Sequence, residues 1–225
     1  MEQIFVGNNN MNIDINIFKN NVDLSKQLTK EILEISEVAI ARNGKATFIL
    51  CGGTTPKFLY KKMSNLKLPW EKINITTSDE HCFTNDNSIR NDTVIKMNLL
   101  RGKATTAKFD NLPNIEKSDY FLFPIDLLIL GLGIAGHIAG IFPDAIEKKE
   151  LLYGLNPIYT VSSVLAKTKR VSCGLTTLIK AKNQYIYILG KEKLDILLTA
   201  FENDNFEEMP VRAFLRTAKI FWAPK

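Results

Sequence analysis

The sequence predicts one α/β domain built on a mostly parallel sheet with helices on both faces. Short apolar runs of strand length alternate along the chain with stretches of helical period. Two of these runs, ATFILC at 46–51 and LLIL at 127–130, are continuously apolar, as in strands buried on both faces. Each is followed at once by a glycine-rich turn, and the carboxyl ends of strands are the usual ligand side of an open α/β sheet. The 225 residues suffice for one such domain with a large core. No internal repeat, low-complexity tract or linker-like stretch divides them, so residues 1–225 are read as a single domain.

Taken in order, residues 11–17 (NIDINIF) alternate apolar and polar and predict an edge-type strand. Residues 22–42 carry Leu24, Leu28, Ile32, Ile35, Val38 and Ala39 at helical spacing, and Asn43-Gly44 ends that helix. The buried strand 46–51 leads through Gly52-Gly53-Thr54-Thr55-Pro56 into an amphipathic helix, KFLYKKM. Residues 73–77 (INITT) form another strand, ending in Ser78-Asp79-Glu80-His81. Residues 90–100 are read as a helix, and 101–125 as irregular. The strand 127–130 and its glycines follow, with His137 placed where the loop enters a helix that Pro143 keeps short. Residues 157–163 give a further strand, 170–180 a loop running into a helix, and 184–189 (QYIYIL) a strand. Gly190 opens a helix carrying Lys193, Leu194, Leu197 and Leu198. One helical turn at 212–215 and a strand at 219–222 close the chain.

Composition excludes several classes. A hydrophobic content of 45% and a charged content of 24% are those of an ordinary globular protein. No apolar run approaches the length of a transmembrane helix, and the N-terminus has no secretory pattern. Cys51, Cys82 and Cys173 are odd in number and far apart, which suits a reducing cytoplasm and neither a disulfide framework nor a zinc site. The net charge of +5 is scattered rather than striped with aromatics, so nucleic-acid binding is not indicated. It weakly favours an anionic small substrate.

Two stretches carry chemistry. Gly52 to Thr55, between a strand and a helix start, form a cradle for an anion, because bare amides and hydroxyls face the ligand there. No G-K-[ST] closes the loop, so it is not a nucleotide-binding loop of the Walker type. A turn in which Thr54 or Thr55 merely caps the helix remains the alternative. Residues 126–143, DLLILGLGIAGHIAGIFP, place Gly131, Gly133 and Gly136 before His137. A histidine just past a buried strand is in ligand position and can serve as base, with structural packing as the alternative. Asp79 and Glu80, at a third strand end, are candidate acids or bases.

These pieces together resemble the 6-phosphogluconolactonases. The 52–60 stretch resembles their GG-S/T-TP…LY loop. Asp79-Glu80 with Arg90-Asn91 and Leu99-Leu100 resembles their DER…SN…LL segment. Residues 126–143 resemble fDLvLLGmGxDGHxASLFP. Arg170-Val171 with Leu175 and Leu178, then Gly190 and Lys193, then Met209-Pro210-Val211-Arg212, follow their later motifs. The resemblance spans nearly the whole chain in order. It implies a modified Rossmann-like fold, related to glucosamine-6-phosphate deaminases, and hydrolysis of 6-phospho-D-glucono-1,5-lactone without metal or organic cofactor. It implies that Gly53, Thr54, Thr55, Arg170 and Lys193 hold the 6-phosphate and that His137 is the general base. Amides near Gly133 and Gly136 are then candidate oxyanion donors.

The chain departs from that pattern. Ala135 stands where the family has aspartate before Gly-His, and His81 where it has arginine after Asp-Glu. The segment between Leu100 and Asp126 is short and shows neither the further strand nor the helix usual there. Weakened catalysis is therefore expected. A non-catalytic sugar-phosphate sensor and a glucosamine-6-phosphate deaminase or isomerase remain as alternatives. A dinucleotide-binding dehydrogenase fits only the literal GxGxxG of 131–136, with no acid about 20 residues on to hold a ribose. A sugar phosphate is the expected partner, and neither nucleic acid nor membrane is; the sequence leaves oligomeric state open.

Overall fold

The computed structural model describes residues 2–7, 12–82, 90–112, 124–202 and 205–225. They contain eleven strands: β1 (Glu2–Gly7), β2 (Asn12–Ile17), β3 (Ala46–Leu50), β4 (Ile73–Thr77), β5 (Asp79–His81), β6 (Lys108–Phe109), β7 (Leu127–Leu130), β8 (Ile158–Val161), β9 (Arg170–Cys173), β10 (Gln184–Leu189) and β11 (Lys219–Ala223). The α-helices are α1 (Asn21–Asn43), α2 (Lys57–Met63), α3 (Asn91–Asn98), α4 (Lys148–Tyr153), α5 (Leu175–Leu178) and α6 (Lys191–Glu202).

Eight strands make the main sheet in the order β1-β2-β11-β10-β7-β3-β4-β6. All neighbours run parallel except β1 and β2, which form an antiparallel hairpin at one edge. The two apolar runs, β3 and β7, lie side by side at the centre and are buried along their whole length. Their side chains alternate between two cores. Phe48, Leu50, Leu127 and Ile129 face the cluster under α1, α2 and α3. Ile49, Leu128 and Leu130 face the other, with Leu175 and Leu178 of α5 and Leu197 of α6. A fully buried leucine is worth about 1.5–3 kcal/mol relative to exposure, so a strand buried on both faces anchors both layers.

Helix α1 starts where the Asn20 side chain accepts the Asp23 N–H at 2.9 Å and ends where the Gly44 N–H reaches the Ile40 carbonyl. Leu24, Leu28, Ile32 and Ala39 are buried as its period requires, but Val38 is 67% exposed. The buried stripe runs instead through Ser36, whose hydroxyl bonds the Ile32 carbonyl.

Several expectations are corrected here. The hairpin partner β1 was not foreseen, and it displaces β2 from the sheet edge. Segment 101–125 is not wholly irregular: a 3-10 helix (Gly102–Thr106) precedes β6, which adds to β4, while residues 113–123 lie outside the description. The start of 170–180 is a strand rather than a loop, and α4 carried no sequence expectation.

No helix follows His137. A 3-10 turn (Ile134–Gly136) precedes it, His137 itself is extended, and an Ile138–Ile141 bridge closes the next turn. Among the described residues, no helix is long and apolar enough to cross a membrane.

A second sheet, order β5-β9-β8 and antiparallel, shapes the functional end. The chain leaves β4 at Ser78 and enters β5 directly, with the Ser78 N–H still bonded to the Leu50 carbonyl. The small sheet is thus fixed to the carboxyl end of the large one, beside the turns that follow β3 and β7.

Candidate active site

A cleft of about 340 Å³ opens where those turns meet the small sheet. It is lined by Gly52, Gly53, Thr54 and Thr55, by Asp79, His81 and Arg170, and by Gly133, His137 and Lys193, with Asn91 and Ala139 between them. Most sequence-predicted residues are therefore gathered from β3, β5, β7, β9 and α6 into one site; Glu80, Ala135 and Gly136 are not part of its lining.

The first turn is held from behind. The Tyr60 hydroxyl of α2 donates to the Cys51 carbonyl at 2.6 Å. The Asn91 side chain lies against Gly52, where any Cβ would fall 1.9 Å from its Oδ1. Gly53 sits at φ 81°, a conformation that side-chain-bearing residues rarely adopt. Helix α2 has no side-chain cap, so neither threonine hydroxyl is spent on it, contrary to the capping alternative. The loop keeps its hydroxyls for the cleft.

The second turn is held by its own groups. The Gly133 N–H donates to the His137 carbonyl at 2.9 Å, and the imidazole lies where a Gly133 side chain would be, 1.9 Å from a built Cβ. His137 Nδ1 is 2.8 Å from the Ile134 carbonyl. A carbonyl only accepts, so Nδ1 carries the proton in the neutral ring and Nε2 keeps its lone pair. The ring rests on Phe142, centroids 4.1 Å apart. Burial, then the nearby Arg170 and Lys193 cations, lower the His137 pKa, partly offset by the Ile134 bond and Asp79. Gly133 lines the cleft, but its N–H is already taken by the His137 carbonyl and is not free as an oxyanion donor. Gly136, at φ 71°, packs against Met209.

Strand alternation decides the acids. Asp79 pairs with Ser172 and His81 with Arg170, so Asp79 and His81 share one face of β5 and Glu80 takes the other. Asp79 faces the cleft, with Oδ2 2.6 Å from the Arg170 guanidinium and Oδ1 accepting the Ser78 hydroxyl. Glu80 is fully buried and lies outside the cleft lining. Its carboxylate accepts the N–H groups of His81, Asn91 and Asp92, closing the open amides at the start of α3. Burial raises its pKa, while those three N–H bonds favour the charged form. Glu80 is an anchor for α3 rather than the acid or base expected of it.

Arg170 also lies over the Phe142 ring at 5.5 Å, and its buried Nε has no hydrogen-bond partner among the described residues. His81 Nδ1 meets the Thr168 hydroxyl at 2.9 Å, and burial with Arg170 lowers its pKa. Ala135 is exposed, at φ 60°. Among the described residues no group of three or more His, Cys, Asp or Glu is placed to hold a metal ion.

Sequence reasoning missed Asn91, which braces Gly52 and bonds the Asp79 carbonyl at 2.7 Å. It also missed Phe142 and Ser172, whose buried hydroxyl accepts the Gly140 N–H. Asn91 and Phe142 carried a signal only as parts of the family resemblance, in Arg90-Asn91 and in the 126–143 stretch; Ser172 carried none.

Comparison with known proteins agrees with this architecture. Residues 19–222 match the family described as glucosamine-6-phosphate isomerases/6-phosphogluconolactonase. A 6-phosphogluconolactonase of Rhizobium meliloti is 29% identical, aligned over 95% of this chain and 100% of its own. One from Pseudomonas putida is 31% identical, covering 89% of each. The crystal structure of a 6-phosphogluconolactonase from Shewanella baltica superposes with a TM-score of 0.87 at 25% identity, over 93% of this chain and 97% of that one. With the family match spanning residues 19–222 and the fold superposing on the Shewanella structure, the chain belongs to the glucosamine-6-phosphate isomerase/6-phosphogluconolactonase family.

Proposed function

We propose that the protein hydrolyses 6-phospho-D-glucono-1,5-lactone to 6-phosphogluconate. One observation carries the reading. An imidazole whose Nδ1 is tied to a carbonyl, leaving Nε2 as the basic nitrogen, shares a cleft with a loop of free hydroxyls and two cations. The names of the relatives supply the substrate.

In this reading the 6-phosphate sits on the Gly53, Thr54 and Thr55 turn and is gripped by Arg170 and Lys193. A guanidinium gives a fork and an ammonium a point charge, both suited to phosphate. Water attacks the lactone carbonyl carbon while His137 Nε2 takes its proton. The tetrahedral oxyanion forms in the positive field of Arg170 and Lys193. It collapses with cleavage of the ring C–O bond, and the leaving oxygen takes the proton back from His137. Asp79, bonded to Arg170, acts by holding that cation rather than as a base.

Two features favour low turnover. The Nδ1 partner of His137 is a neutral carbonyl, and Ala135 brings no carboxylate to stabilise the imidazolium. His81, with its pKa lowered, is not a fixed cation. These features also support a second reading, a sugar-phosphate binder without turnover. The deciding experiment is steady-state hydrolysis of freshly prepared lactone, corrected for its spontaneous reaction, beside calorimetry with 6-phosphogluconate. Turnover above background that is lost in His137→Asn supports the lactonase. Tight binding with no turnover supports the sensor, and neither overturns both.

A further inference from the structure

Phe142 makes no hydrogen bond through its side chain and lies outside the motif positions that carry charge, yet it touches both ends of the chemistry. It is 1% exposed. Its ring is 4.1 Å from the His137 imidazole, tilted by 31°, and 5.5 Å from the Arg170 guanidinium carbon. Among the described residues no other ring lies against both groups.

We propose that Phe142 is a positioning residue whose ring sets the spacing between His137 and Arg170 and stabilises the imidazole when it is protonated. An aromatic face is electron-rich, so it attracts a guanidinium or an imidazolium more than a neutral ring or an aliphatic side chain does. The gain for His137 therefore arises as the proton arrives, which is when a general base needs it. Other charges facing His137 are Asp79 from β5, Arg170 from β9 and Lys193 from α6. Asp79 favours the protonated form, and the two cations oppose it. With no carboxylate on Nδ1, the ring adds to the Ile134 carbonyl and Asp79 as a favourable contact. This inference rests on His137 being the base of the proposed reaction.

The chain has only two histidines, His81 and His137. Nuclear magnetic resonance can follow the His137 titration directly, with His81→Asn used to assign the signals, and needs no turnover. Phe142→Leu keeps the apolar surroundings and removes the ring. Its His137 midpoint should move down by about half to one pH unit, the size of a lost cation–π contact. The acid limb of kcat/KM should move with it, and the plateau should fall roughly 3- to 10-fold. Phe142→Tyr keeps the ring and should leave the midpoint near the parent value, even if its buried hydroxyl lowers Tm. Phe142→Met is a second ring-free variant should the leucine protein not fold, since methionine fills irregular space well. Ring-free variants that titrate as the parent does, or a tyrosine variant shifted as far as leucine, would overturn the proposal. A shifted titration in a protein without lactone turnover would leave it standing while sinking the proposed reaction.

Discussion

The turns after β3 and β7 look alike in sequence, and each follows a central buried strand, yet they are built in opposite ways. The 52–55 turn is held by residues outside it, Tyr60 and Asn91, and leaves its own hydroxyls uncommitted. The 131–137 turn spends its own groups internally, Gly133 N–H on the His137 carbonyl and His137 Nδ1 on the Ile134 carbonyl. A binding loop must present many donors and can be braced from behind. A base must present one lone pair in one direction, so its loop uses its own hydrogen bonds to fix a ring.

If the two turns do separate work, substitutions should separate rate from affinity. His137→Asn should lower lactone hydrolysis roughly 10²–10⁴-fold, the usual contribution of a general base. Its affinity for 6-phosphogluconate by calorimetry should stay close to the parent's, and a matching loss of binding would merge the two turns into one. Gly133→Ala should cost about 10²-fold in kcat, because the new methyl occupies the place of the imidazole and moves the base by an ångström or more. Gly52→Ala meets Asn91 instead and should act on KM; an equal kcat loss in both would break the comparison.

Arg170→Ala tests the binding side. It should weaken 6-phosphogluconate by roughly 1.5–3 kcal/mol, the worth of a charged hydrogen bond. Because it also strands the buried Asp79 carboxylate, Tm should be recorded beside Kd. Unchanged affinity removes Arg170 from the phosphate site.

Ala135→Asp with His81→Arg sharpens the catalytic side. The pair should raise turnover about tenfold, below the 10²–10³-fold that one preorganised charge can reach, and by more than the single changes combined. Position 135 already has φ 60°, a conformation aspartate tolerates better than alanine. A parent as fast as its relatives, with no gain in the double variant, would show these positions are no deficit.

The smallest effect is the pH response. Burial lowers both imidazole pKa values, so the acid limb of kcat/KM should lie below the ordinary histidine value of about 6.5. The unfolded chain then binds these protons more readily than the folded one. The histidine contribution to stability is full above about 6.5 and is lost as pH falls through the lowered folded values. Tm measured from pH 8 to 5 checks the sign, and His81→Asn should flatten part of the decline.

The strands and their glycine turns were legible because they depend on local pattern. A continuous apolar run such as LLIL can be satisfied only by burial on both faces, and Gly52-Gly53 or Gly131 marks where such a strand stops. The amphipathic spacing of α1 was visible in the same way, apart from Val38 and Ser36, whose places depend on what lies opposite. The hairpin strand β1 was not legible, because its register is set by pairing with β2 rather than by its own residues.

Within the site, the sequence determined which residue types stand at strand ends: a histidine, two acids, a guanidinium and two glycine turns. What each does there was decided by long-range pairing. Asp79 and Glu80 are neighbours in sequence and equally acidic. Only the pairing of Asp79 with Ser172 and of His81 with Arg170 turns one toward the cleft and the other into the start of α3. The turn around His137 is likewise met by residues distant in sequence, Met209 against Gly136 and Ser172 bonded to Gly140. Local pattern fixes a strand and its end because burial and turn geometry act over a few residues. The direction in which a side chain works depends on partners far away in sequence, 91 residues in the Asp79–Arg170 bond, and those meet only in the folded chain.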